Sequence, residues 1–225
     1  MPAGLAFGID GYLTQRFPDR FFLSKHWYSR LLLTARFYRA FSRYEYLLIH
    51  QLDSLVFSDD LQSWCELGYD YIGGVHTIGD LPPQVGNGGF SLRKTSSFLK
   101  VLRSNARAVD PRDYWMANWA DKPLSVRVRA LPRKYAKHLR RFNDVRWEIR
   151  RLDRTPVAWP EDWFWSLEAK RFWPPFRIAP NAVGDRFAFC DTPRECFAKT
   201  GRLPFGCHGW TRHEREFWEP HLLPE

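Results

Sequence analysis

Tyr44-Glu45-Tyr46-Leu47-Leu48-Ile49-His50-Gln51-Leu52-Asp53-Ser54-Leu55-Val56-Phe57 is the stretch on which the fold turns. Leu47, Leu48 and Ile49 form a continuous apolar run, the pattern of a strand covered on both faces. The run turns polar at His50 and Gln51 and delivers Asp53. Ligands of open α/β sheets sit beyond the carboxyl ends of the strands. An acid at that position is placed to hold a metal, a sugar hydroxyl or a phosphate-bound cation. The same pattern also fits an aspartate that only ends the strand by bonding nearby backbone N–H groups.

On the N-terminal side, Ser24 is a helix cap, and the spacing predicts one helix to about Ser42. Trp27, Leu31, Thr34, Phe37, Tyr38 and Phe41 fall near one face of it. On the other side, Ser58 is expected to cap a second helix that Gly68 closes. A short strand at Tyr71-Ile72-Gly73 and a loop over 75–86 follow. Asn87-Gly88-Gly89 then leads into the alternating segment Phe90-Ser91-Leu92-Arg93-Lys94. Two glycines ahead of a strand imply a backbone that something approaches closely. Thr95 or Ser96 starts a helix through Leu102, Pro160 opens another, and Phe187-Ala188-Phe189 is a short strand.

The chain has 225 residues, enough for one α/β domain with its own core. Eleven Trp offer flat apolar faces with a polar edge, suited to stacking on sugars or bases, although most serve the core. Cys65, Cys190, Cys196 and Cys207 contain no CxxC pair, which argues against a zinc knuckle. No signal peptide and no run of 18 apolar residues is present, so a reducing cytoplasmic setting is expected. Walker, GxSxG and HExxH signatures are absent. The net charge of +9 is concentrated. Residues 122–154 carry twelve Lys and Arg against three acids, which accounts for the whole excess.

Chemistry concentrates at Asp53, at Glu161-Asp162 and at His208, each beside a turn or an element end. Carboxylate and imidazole are both acceptable to manganese, and a diphosphate can complete the shell of Mg²⁺. Asp162 or Glu161 can deprotonate a hydroxyl. The plainer alternatives are an acidic helix N-terminus and a hydrogen-bonded core histidine.

Five stretches in order resemble a little-characterised family of GT-A-like glycosyltransferases. They are Tyr44 through Asp53, Trp64 through Gly73, Gly86 through Arg93, Glu161-Asp162, and Pro204-Phe205-Gly206-Cys207-His208-Gly209-Trp210. The match runs from about residue 17 to the end and is poor over 105–155. The resemblance implies one α/β domain over 1–225 with a mixed, mainly parallel sheet flanked by helices, and a basic insertion at 105–155. It implies sugar transfer from a nucleotide-diphosphate-sugar donor to a hydroxyl of a glycan or glycolipid. Asp162, with Glu161 beside it, would be the acceptor-activating base of an inverting reaction. Asn87, Gly88, Gly89 and Arg93 would line the donor or acceptor floor, with Trp163 and Trp165 as stacking faces. Asp53 and His208 would hold a divalent cation, Mn or Mg.

Three departures qualify this. Gln51 stands where a second acid would complete an Asp-x-Asp, so Arg93, Lys94 or the 122–154 cluster would stabilise the diphosphate instead. Cys190 stands where the family has an acid. Relatives begin with a strand, a helix and a strand, whereas Met1 lies close to Phe17-Pro18-Asp19. The first nucleotide-binding strand is therefore expected to be missing, leaving an exposed edge or apolar face near residues 45–50. A competing reading makes residues 122–154 a nucleic-acid surface, with Tyr135, Phe142 and Trp147 among the basic side chains. An anionic membrane surface is the other partner that this segment suits. A third reading is a shortened, inactive transferase.

Overall fold

The computed structural model describes residues 13–77, 80–155 and 159–222. The expectation about the first strand falls on residues 1–12 and what precedes them, outside the described residues. A 3-10 turn at Asp19–Phe22 leads into α1 (Lys25–Leu32), where the Ser24 hydroxyl accepts from Trp27 N at 3.3 Å. The single helix expected to Ser42 is two. Thr34 is extended; its hydroxyl donates to Leu31 O at 2.7 Å and accepts from Phe37 N at 3.3 Å. It thus ends α1 and caps α2 (Ala35–Ala40). A short hydroxyl side chain competes with the helix backbone in this way.

β1 (Tyr46–His50) and β2 (Ser54–Val56) are separated by a turn carrying Asp53. α3 (Leu61–Glu66) starts after Asp60 rather than after Ser58, and Gly68 follows it at φ +70°. Next come β3 (Tyr71–Gly73), the two-residue strands β4 (Val75–His76) and β5 (Gln84–Val85), β6 (Phe90–Lys94) and α4 (Thr95–Leu102). The expected loop over 75–86 therefore contains the β4–β5 ladder.

The expected basic insertion holds α5 (Pro111–Trp119), α6 (Leu124–Ala136) and α7 (Val145–Leu152). α7 belongs to the core: Val145, Ile149 and Leu152 are buried in the largest hydrophobic cluster. Glu148 on the same helix is fully buried and binds Arg151 and Arg171. Two short helices, α8 (Glu161–Leu167) and α9 (Ala169–Phe172), pack beside α4. α10 (Asn181–Phe187), β7 (Ala188–Phe189), α11 (Pro193–Thr200), β8 (Gly206–His208) and α12 (Arg215–Trp218) complete the described chain.

The chain is α/β, but its sheets are small and mostly antiparallel. One has order β1-β6-β3, with Leu48 and Ile72 both opposite Leu92. A second has order β2-β8-β7, and a third is β4-β5. Among the described residues only β7–β8 is a parallel strand pair, so the mainly parallel sheet expected from the sequence is corrected. The reason lies in the connections. Antiparallel neighbours can be joined by turns and small ladders, whereas parallel neighbours need a crossover of a dozen or more residues; α11 lies in the connection from β7 to β8.

The β1-β6-β3 sheet lies between two hydrophobic clusters. Leu47, Ile49 and Tyr71 join the helical cluster formed by α1, α2, α4, α7, α8 and α9. Tyr46, Leu48, Ile72, Phe90 and Leu92 join a cluster with Trp64 of α3 and Phe187 of α10. This is why Leu47-Leu48-Ile49 has no polar face. β1 nevertheless has only β6 as a partner among the described residues: Tyr46, Leu47 and Leu48 are half-buried, Ile49 is buried and His50 is exposed. Among the described residues, no strand pairs with the other edge of β1, near residues 45–50.

Candidate active site

Sheet register assembles the site. Ser54 pairs with His208 across β2 and β8, which sets Asp53 beside the end of β8. Gly209 N donates to Asp53 O at 2.8 Å and closes that corner. At the end of β1, Gln51 N donates to Gly89 O at 3.0 Å. On the far side, Gly88 N donates to Asp162 Oδ2 at 3.2 Å, tying the glycine turn to the first turn of α8. These contacts border a cleft of about 880 Å³. Asp53, Asn87, Gly88, Gly89, Glu161, Asp162, Trp163 and His208 all line it, so these residues, spread over 156 positions of the chain, come together.

Two of the expected site residues do not reach the cleft as binding groups. Arg93 is fully buried. Its guanidinium donates to Glu161 Oε1 at 2.7 Å, Glu161 Oε2 at 3.0 Å, Tyr38 Oη at 3.0 Å, Ser91 Oγ at 2.9 Å and Gly88 O at 3.2 Å. All five donors are used, so Arg93 is an internal clamp and not a diphosphate contact. Trp165 is also fully buried, packed against Tyr38, Phe98 and Phe164, and presents no face to a sugar. Helix geometry explains this: Phe164 and Trp165 take the core side of α8, leaving Asp162 and Trp163 toward the cleft.

The two acids of α8 have separate roles. Both oxygens of Glu161 are taken by Arg93. Burial lowers the Arg93 pKa, but Glu161 together with Tyr38 and Tyr71 holds it well above its usual range, while burial raises the Glu161 pKa with Arg93 acting against it. Among the described residues Asp162 carries no ion pair; its Oδ1 accepts from Trp163 N at 3.0 Å. Burial pushes its carboxyl up from the usual aspartate range, opposed by the Gly88 and Trp163 N–H groups. A raised carboxylate at a cleft wall is more basic than a solvated one.

Opposite Asp162, His208 Nε2 lies 3.0 Å from Gln51 Oε1 and 3.4 Å from Asp53 Oδ1. Burial lowers the His208 pKa, with Asp53 acting against it. Asp53 Oδ2 accepts from Arg212 at 2.7 Å. Among the described residues, no group of three or more His, Cys, Asp or Glu is placed to hold a metal ion unaided. Sequence reasoning missed Arg212, Lys25 and Asp191, which also line the cleft. Cys190, where the resemblance implies an acid, is buried, and burial holds its thiol well above the usual range, while its neighbour Asp191 is exposed at the cleft.

The glycines of the turn are required by protein, not only by a ligand. A Cβ on Gly89 would lie 2.1 Å from His208 Nε2. A Cβ on Gly88 would lie 2.2 Å from Glu161 Oε1, an atom that Arg93 prevents from moving. Gly88→Ala is therefore expected to cost about 1–3 kcal/mol of folding stability in urea titration, the usual range for overpacking.

No curated protein and no solved structure matches this sequence. A family model, described as "Protein of unknown function (DUF5672)", matches residues 11–208. The chain belongs to that DUF5672 family.

Proposed function

We propose that this chain is a glycosyltransferase with a GT-A-like arrangement, moving a sugar from a nucleotide-diphosphate-sugar to a hydroxyl of a glycan or glycolipid. The observation that carries it is the division of charge across one cleft. A burial-raised carboxylate, Asp162, faces a corner where Asp53 and His208 stand with the cation Arg212. Acceptor activation and diphosphate stabilisation need these two unlike environments a short distance apart.

In this reading Asp162 takes the proton of the acceptor hydroxyl, and the oxygen attacks the anomeric carbon with inversion. The C–O bond to the diphosphate breaks, and the leaving group departs with the electron pair. Arg212 and Lys25, both exposed at the cleft, stabilise the diphosphate. Arg93 and Glu161 hold the floor: the pair fixes Gly88 O, and Gly88 N orients Asp162. Trp163 stacks on a sugar. A divalent cation arriving with the diphosphate would find Asp53 and His208 as side-chain ligands and would add charge neutralisation; with only two such ligands it would depend on the diphosphate for the rest of its shell.

Thermal shift and calorimetry with a panel of nucleotide-diphosphate sugars, with and without Mn²⁺, test the reading. At a hundredfold excess over Kd, a ligand of the native state adds about 2.7 kcal/mol of stability. Arg212→Ala should weaken that binding about 10- to 100-fold, the range for a lost hydrogen bond to a charged group. A panel in which no nucleotide sugar stabilises the protein would remove the transferase reading.

A further inference from the structure

The basic segment divides into two parts with different uses. Around α7, part of the positive charge is consumed internally: Arg151 and Arg171 bind buried Glu148. Lys137, just past α6, is also buried, donates to Phe142 O at 2.6 Å and sits over the Trp147 ring. On α6 itself the situation is reversed. Arg127, Arg129 and Arg133 have no acidic partner within ion-pair distance among the described residues.

α6 also displays apolar side chains to solvent. Of its thirteen residues only Ala130 is buried. Leu124 is 73% exposed, Val128 54% and Tyr135 64%, with Leu131 half-buried between them. Positions 124, 128, 131 and 135 are spaced four, three and four apart, so they form one stripe along the helix. Leu139, 58% exposed, follows in the turn after the helix. Pro132 removes one internal hydrogen bond of a helix that draws little support from packing. Exposing an aliphatic stripe in water is a cost that the fold does not recover.

We propose that α6 is an interfacial helix that docks this protein on an anionic lipid bilayer, going beyond the transferase reading and independent of it. The chemistry selects this occupant. An apolar stripe with Arg127 beside it, on a helix whose other faces carry Arg129 and Arg133, matches the boundary between acyl chains and anionic headgroups. A nucleic-acid groove would need cations and several stacking rings along its floor, whereas Leu124, Val128 and Leu131 offer no stacking face and only Tyr135 of the stripe does.

The test is flotation of the full chain with phosphatidylcholine vesicles, plain or containing about a third phosphatidylglycerol, in about 0.1 M salt, where charges are screened beyond about 10 Å. Binding is expected to the anionic vesicles only and to fall as salt rises. The triple variant Leu124→Ser, Val128→Ser, Tyr135→Ser should bind at least about tenfold more weakly, with an unchanged circular dichroism spectrum. The emission of Tyr135→Trp minus that of the parent, which has eleven Trp of its own, should shift to the blue on anionic vesicles, and it carries the test if the triple variant misfolds. Equal binding to neutral vesicles, full binding by the triple variant, or no emission shift would overturn the proposal. So would binding to a DNA or RNA oligonucleotide with none to vesicles.

Discussion

Arg93→Ala is expected to lower folding stability by about 3–5 kcal/mol, the range for removing one partner of a buried ion pair. The substitution leaves the Glu161 carboxyl 4% exposed and without either of its charge-assisted bonds. It also strips donors from Tyr38, Ser91 and the Gly88 carbonyl. Arg93→Met with Glu161→Gln removes both charges and should recover part of the loss, because an uncompensated charge costs more than a neutral gap of similar volume. Urea titration of the three proteins measures this. Stability within about 1 kcal/mol of the parent in Arg93→Ala, with loss of ligand binding, would mean instead that Arg93 serves the cleft.

The clamp was not legible in the sequence, for a physical reason. Phe90-Ser91-Leu92-Arg93 alternates, and alternation ordinarily signals one solvated face. Here the polar face of β6 is covered by α2, α4 and α8, and its charge is met by residues 55 and 68 positions away. Nothing local in the chain announces such a partner. Trp165 failed for a similar reason: i and i+2 neighbours on α8 face different surroundings, and only the packed core decides which ring is covered. By contrast, Asp53 and His208 were legible because one follows a strand and the other ends one, and each strand end is marked by polar or glycine residues. The run Leu47-Leu48-Ile49 correctly indicated two covered faces, but not strand direction or edge position, since side-chain pattern carries no information about either. Arg212 and Lys25 gave no signal, being ordinary cations on a loop and an exposed first helical turn.

The separation of Glu161 from Asp162 leads to the second large effect. Asp162→Asn is expected to lower transfer, or slow hydrolysis of a nucleotide sugar, by about 10²–10⁴-fold, the contribution of a positioned general base. The amide keeps an acceptor oxygen for Gly88 N or Trp163 N, so stability should stay within about 1–2 kcal/mol of the parent. That contrast matters because an aspartate in the first turn of a helix also has a plain structural use. An acid that only favours the helix N-terminus would leave turnover unchanged when made an amide. The pH profile separates the two further. Burial raises the Asp162 pKa, so in the proposed reaction the carboxylate is lost, and the rate falls, at a higher pH than for a solvated aspartate. Asp162→Asn should flatten that acid limb as well as lower the plateau, while Gly88→Ala, which disturbs the donor to Asp162 Oδ2, should move it. An acid limb unchanged in Asp162→Asn would place the base elsewhere. The cleft then offers Asp191, whose Oδ1 lies 3.7 Å from His213 Nε2, as another exposed acid at its wall.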